Sequence, residues 1–141
     1  MTNKEIVSNF IKAINEHDVE QIYNLMSDDH IFIDGYGDKY SGRKDMKEGW
    51  ANYYKLFPDY YIEITDYTEN ETIIGLFDYA GGTYKNIKDK SNSNYWRTTA
   101  AWKAIVGNGK VKYWQVFCDY NQLQTIIDKN QNVNNRIKLS D

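Results

Sequence analysis

Apolar residues fall mostly at helical spacing before Pro58 and alternate after it, so the chain divides into a helical first part and a strand-rich second part. Ile6, Val7, Phe10, Ile11 and Ile14 lie on one helical face. Thr2 with Glu5 three residues on forms a capping box, which opens a helix reaching about Asn15. Asp18 caps a second helix, along which Val19, Ile22, Tyr23 and Met26 repeat the spacing. Ser27-Asp28-Asp29 is expected to end it and to lead into a short alternating strand. That strand places His30, Phe32 and Asp34 on one face, with Ile31 and Ile33 on the other. Gly35, Gly37 and Gly42 mark a tight turn, a brief return strand and a second turn. Ser41 is the expected cap of a third helix over 43–56, striped by Met46, Trp50, Tyr53, Tyr54 and Phe57, and Pro58 stops it.

Residues 60–67 then alternate, Glu69-Asn70-Glu71 turns the chain, and 72–84 follows with a bulge expected at Gly81-Gly82. The segments 95–106 and 110–120 form a hairpin about Gly107-Asn108-Gly109. Residues 122–127 turn helical and N-Q-N-V-N-N reads as a frayed tail. Helices first and four long antiparallel strands afterwards make an α+β domain over 1–128, followed by a polar tail at 129–141.

Composition narrows the function classes. A net charge of -3 argues against a nucleic-acid module, which would carry a basic stripe. Lys85, Lys88 and Lys90 cluster in a polar segment that reads as a solvated loop. One cysteine, Cys118, excludes an internal disulfide framework, and His17 and His30 are too few and too far apart for a zinc site. No apolar run has membrane-span length and M-T-N-K-E lacks the shape of a signal peptide, so a soluble cytoplasmic protein is the default expectation. The 13 Tyr, 4 Trp and 5 Phe are more than a small core usually needs. They suit either a wet-edged cavity or interface, or ordinary strand decoration.

Three segments in order resemble the SnoaL-like branch of the NTF2-like superfamily, which also includes ketosteroid isomerases. N-E-H-D-V-E-Q-I-Y-N-L-M-S-D-D-H-I-F-I-D is similar to the family's two-helix start and first strand. S-G-R-K-D-M-K-E-G-W with F-P-D resembles the third helix and its exit, and G-N-G-K-V-K-Y-W-Q-V-F-C-D-Y-N-Q-L the final hairpin. The resemblance implies a cone-shaped half-barrel: three N-terminal helices packed in a curved, mostly antiparallel sheet, with a pocket at the open end. It also implies a homodimer through the outer sheet faces, a small hydrophobic or aromatic ligand, and no cofactor.

Asp34 matches the position of the isomerases' catalytic base, and a carboxylate among Phe32, Tyr36 and other aromatics loses solvation and becomes more basic. The alternative is a carboxylate spent on the Gly35–Gly37 turn. Asp119 matches the final-strand acid/base of SnoaL-type cyclases, and strand parity groups it with Gln115 and Phe117. It is placed in the lumen by that reading, or else caps the terminal helical turn. His30 shares the face of Asp34 and is a candidate to orient it or shuttle a proton. Trp50, Tyr54 and Trp96 complete the expected pocket wall.

The pattern also departs from the family. The isomerases' oxyanion donors align with Phe10 and Ala101, neither of which donates a hydrogen bond from its side chain, unless Tyr53, Tyr54 or Trp96 substitutes. The epoxide-hydrolase branch needs an Asp two residues from Arg97, where Thr99 stands. Three readings follow: an acid/base isomerase or cyclase acting on a small hydrophobic carbonyl compound, a non-catalytic binding module, or an accessory dimerisation domain whose cavity is filled by Trp50, Tyr54 and Trp96.

Overall fold

The computed structural model of the chain describes residues 1–85 and 94–131. The elements run α1 (Asn3–Glu16), α2 (Val19–Leu25), β1 (Met26–Ile33), β2 (Lys39–Ser41), α3 (Arg43–Leu56), β3 (Tyr61–Glu69), β4 (Ile74–Thr83), β5 (Tyr95–Gly107), β6 (Lys110–Cys118) and α4 (Asn121–Gln131). All strands join one open sheet in the order β2-β1-β6-β5-β4-β3. Its neighbours are antiparallel except β1 and β6, which run parallel.

Local chemistry explains most boundaries. The Thr2 hydroxyl accepts the Glu5 N–H at 3.1 Å and Asp18 accepts that of Gln21 at 3.0 Å, so both expected caps form. His17 ends α1 in the left-handed region at φ 57°, stacks on Tyr54 at 4.0 Å, and bonds the Tyr60 carbonyl through Nε2 at 2.7 Å. Asn15 closes the outer edge of β3, exchanging two hydrogen bonds with the Ile62 backbone. Asn108 and Gly109 both take positive φ, 52° and 76°, as a two-residue type I′ hairpin between β5 and β6 requires.

Phe10, Ile14, Ile22 and Met26 are fully buried against the inner face of the sheet, with Phe10 set edge-on to Trp114 at 5.0 Å. Each such side chain contributes roughly 1.5–3 kcal/mol through burial. Phe10 thereby backs Trp114, whose ring lines an aromatic cavity.

Three expectations are corrected. Ser27-Asp28-Asp29 is strand rather than turn, because Met26 is already paired with Val111. Gly42 replaces Ser41 as the position before α3; its φ of 95° is open to glycine, and no side chain caps this helix. The ladder is continuous through Gly81-Gly82, and the irregularity in β3–β4 lies between Ile64 and Asp66. Those glycines answer a close approach instead, since a Cβ on Gly81 would sit 2.8 Å from the Tyr61 ring. The short strand, the brief return strand and the four long strands that were expected make up the six of the sheet. α4 continues past residue 128 to Gln131, while Lys88, Lys90 and the tail from 132 lie outside the described residues.

Candidate functional site

Where β1 runs out, the chain turns back through residues 34–38 to make β2, and Asp34 anchors that turn. Its Oδ1 accepts the backbone N–H of Tyr36 and of Asp38, both at 2.9 Å. Among the described residues its Oδ2 accepts one hydrogen bond, from the Tyr40 hydroxyl at a long 3.3 Å. Asp34 is nevertheless 7% exposed, and burial pushes its carboxyl above the ordinary range against the opposing pull of the two backbone bonds. The turn and the pocket are therefore compatible uses of one residue: Oδ1 holds the turn, and Oδ2 keeps lone pairs for other work.

Asp34 opens onto a cavity of about 40 Å³. Eight of its eleven lining residues are aromatic, and Asp34 is the one charged side chain in the lining. Phe32 and Trp50 form the wall nearest β1, while Trp102, Trp114 and Val116 supply the sheet floor. Tyr36 and Tyr120 meet at 4.8 Å beside it, and Tyr36 donates to Gln124 of α4, which adds Leu123 to the lining. At roughly 10–15 Å³ per water on this measure, such a cavity holds only a few water-sized groups. A larger ligand needs the aromatic walls to move.

Tyr53 and Tyr60 complete the cavity with rings 4.9 Å apart and perpendicular. Burial raises both phenols above their ordinary pKa, as it does that of Tyr120, so all three stay protonated donors across the physiological range. Cys118 feels the charge of Asp34, and its thiol is pushed up to about 11, chiefly by burial. It is a packed neutral group, as its sequence context implied.

The remaining sequence candidates lie elsewhere. His30 is fully buried on the Asp34 face of β1, but its Nδ1 donates to the Val111 carbonyl at 2.7 Å and its ring tilts toward Phe10 at 6.2 Å. Among the described residues no hydrogen bond joins it to Asp34, so it neither orients that carboxyl nor reaches the cavity. Tyr54 spends its hydroxyl on the Ile14 carbonyl at 2.7 Å, and Trp96 is buried behind Phe57 and Tyr60. Neither lines the cavity, and Trp50 walls it without filling it.

The face of β6 is the larger correction. Trp114 and Val116 point inward, which leaves Gln115 half-buried and Phe117 49% exposed on the outer surface. Asp119 is exposed with them, and its carboxylate accepts the Asn121 N–H at 2.9 Å at the start of α4. The alternative use, helix capping, is the geometry present. A signal was available, since the Trp114–Val116 face is the more apolar one. Tyr120 was missed for the same reason.

Among the described residues no three His, Cys, Asp or Glu side chains converge as a metal site would require. No described helix is long and apolar enough to cross a membrane.

Over residues 7–113 the sequence matches the family model described as the SnoaL-like domain. No curated protein matches the chain by sequence. Among solved structures, a hypothetical protein from Catenulispora acidiphila with a ketosteroid isomerase-like fold, in complex with trimethylamine, superposes with a TM-score of 0.75 at 15% identity. That match covers 88% of this chain and 92% of the other. A candidate SnoaL-like polyketide cyclase from Shewanella denitrificans gives 0.75 at 11% identity, over 89% and 96% of the two chains. SalBIII, an epoxide hydrolase/cyclase-like enzyme in pyran ring formation in the polyether salinomycin, gives 0.71 at 20% identity, over 84% and 92%. At these identities the likeness shows the fold alone, an NTF2-like α+β half-barrel.

Proposed function

The chain belongs to the SnoaL-like domain family, and from that premise we propose that it is a cofactor-free acid/base enzyme of the isomerase or cyclase kind. Its substrate is a small, largely apolar carbonyl compound, handled in the cytoplasm. The observation that carries this reading is Asp34, a buried carboxyl of raised basicity facing a nearly all-aromatic cavity. Desolvation brings a carboxylate closer to the basicity needed for proton abstraction near neutral pH. In the step envisaged, Oδ2 takes a proton from the carbon beside the carbonyl. The C–H electron pair becomes a C=C bond and the carbonyl π pair moves onto oxygen, giving an enolate. Where the substrate carries a β,γ double bond the enolate is a dienolate, and return of the proton from Asp34 to its γ-carbon completes an isomerisation. Where it carries a second carbonyl, attack of the enolate carbon there closes a ring, the π pair moves onto that oxygen and the oxygen takes the proton from Asp34.

Cyclopentanone in D2O tests the reading without knowledge of the natural substrate. The protein should accelerate deuterium uptake at the α-carbons, and Asp34→Asn should lower that rate by about 10²–10⁴-fold. Equal rates for the two proteins would remove Asp34 as the base.

A second reading rests on the lining itself. A box of aromatic rings with one carboxyl also suits a small alkylammonium ion, and the Catenulispora neighbour holds trimethylamine. Trimethylamine binding that Asp34→Asn abolishes, with no ketone exchange in either protein, would select a binding module instead.

The expected partner is a second copy of the chain. Phe77, Ala101 and Phe117 are register neighbours across β4, β5 and β6 on the outer face, and the two phenylalanines are 41% and 49% exposed. An apolar row of this kind supports face-to-face pairing of sheets.

A further inference from the structure

We propose that the hydroxyls of Tyr53 and Tyr60 are the oxyanion donors of this site, so that the pocket selects ligands carrying an sp² oxygen acceptor. This rests on the acid/base reading and supplies what that reading lacks, since Phe10 and Ala101 donate nothing from their side chains.

Three other phenols near the cavity are already engaged: Tyr36 donates to Gln124, Tyr40 to Asp34 and Tyr54 to the Ile14 carbonyl. Tyr120 packs its ring against Tyr36 at 4.8 Å. Among the described residues no hydrogen bond uses the hydroxyl of Tyr53 or of Tyr60, although both residues line the cavity. Neither hydroxyl is among the fully buried polar atoms that lack a partner, so both reach accessible space at the cavity wall. Two together in the wall of a cavity point to an acceptor that arrives with the ligand. Their rings are fixed against each other at 4.9 Å, and Tyr53 is braced further by Phe57 at 4.8 Å. The packed rings present their hydroxyls as a pair, the arrangement that stabilisation of a developing charge calls for. Asp34, Tyr53 and Tyr60 line the same small cavity, which brings base and donors to one ligand.

Infrared spectroscopy of bound cyclopentanone reads the donors independently of turnover. Its carbonyl stretch should move to lower frequency in the native protein and in Asp34→Asn. It should return toward the value in an apolar solvent in Tyr53→Phe and Tyr60→Phe. Each phenylalanine variant should also lose about 10²–10³-fold in deuterium exchange, with circular dichroism unchanged. A shift that survives in the double variant, or no shift in the native protein, overturns the proposal. A shift that is present without any exchange leaves the donors in place and removes the acid/base reading instead.

Discussion

His30 is a neutral imidazole in a dry core. Its Nδ1–H is held by the Val111 carbonyl and its Nε2 has no partner. Burial lowers its pKa from 6.5 to about 4, with the Val111 bond and nearby Asp29 pulling weakly the other way. The unfolded chain therefore binds the proton first as pH falls. Stability on this account is complete above about pH 6.5 and declines toward pH 4, by about 3 kcal/mol in all. Asp34 acts with the opposite sign, because its raised pKa lets the folded state take up a proton before the unfolded state does. Urea midpoints measured from pH 7 to pH 4 should fall more steeply for the native protein than for His30→Gln. Parallel curves would show that His30 does not set the acid limit. Strand parity put His30 on the right face. Whether it met the cavity or the core beneath depended on depth along the strand, which parity does not encode.

At the scale of elements, the local rules read well and the choice of face did not. Thr2, Asp18, Pro58 and Asn108-Gly109 act through neighbours a few residues away, and the boundaries they set were legible. β6 has apolar residues on both sides, Trp114 and Val116 against Phe117, so alternation defined two faces without saying which was inside. Its pairing with β5 slips beside Lys112, where Ile105 faces Tyr113 but Val106 faces Val111, and no residue type announces such a slip. Asp34 was found because its strand is short and ends in a glycine-marked turn; Asp119 was misplaced because its strand is ambiguous. The junction of that turn with β6 is tight at Gly35, where a Cβ would press on the Tyr120 ring and lie 3.0 Å from the Cys118 sulfur. Gly35→Ala should therefore cost about 1–3 kcal/mol in chemical denaturation. It should also displace Tyr120 from Tyr36, visible as altered near-ultraviolet circular dichroism. An unchanged denaturation midpoint would mean that Tyr120 yields freely.

The whole molecule presents its outer sheet face as the surface left to cover. On the proposed pairing, replacing Phe77 and Phe117 together by Glu places four like charges across the contact. Sedimentation should then read monomer for the variant and dimer for the native chain, with the fold intact. A native chain that sediments as a monomer at tens of micromolar would refute the pairing. The open sheet carries another consequence through its one parallel contact. Phe32 is partnered by Trp114, about 80 positions further along the chain. A pairing that distant closes a long loop before it returns any contact energy, which places such folds among the slower small domains, in milliseconds to seconds. On the ribosome β1 thus waits without its β6 partner, with Phe32 uncovered, until nearly the whole domain has emerged, a window in which holdase chaperones would find it. Asp34 waits with it, an ordinary solvated carboxylate until β6 docks. A chain truncated before β6 should therefore lose the raised basicity of Asp34 together with the sheet that buries it.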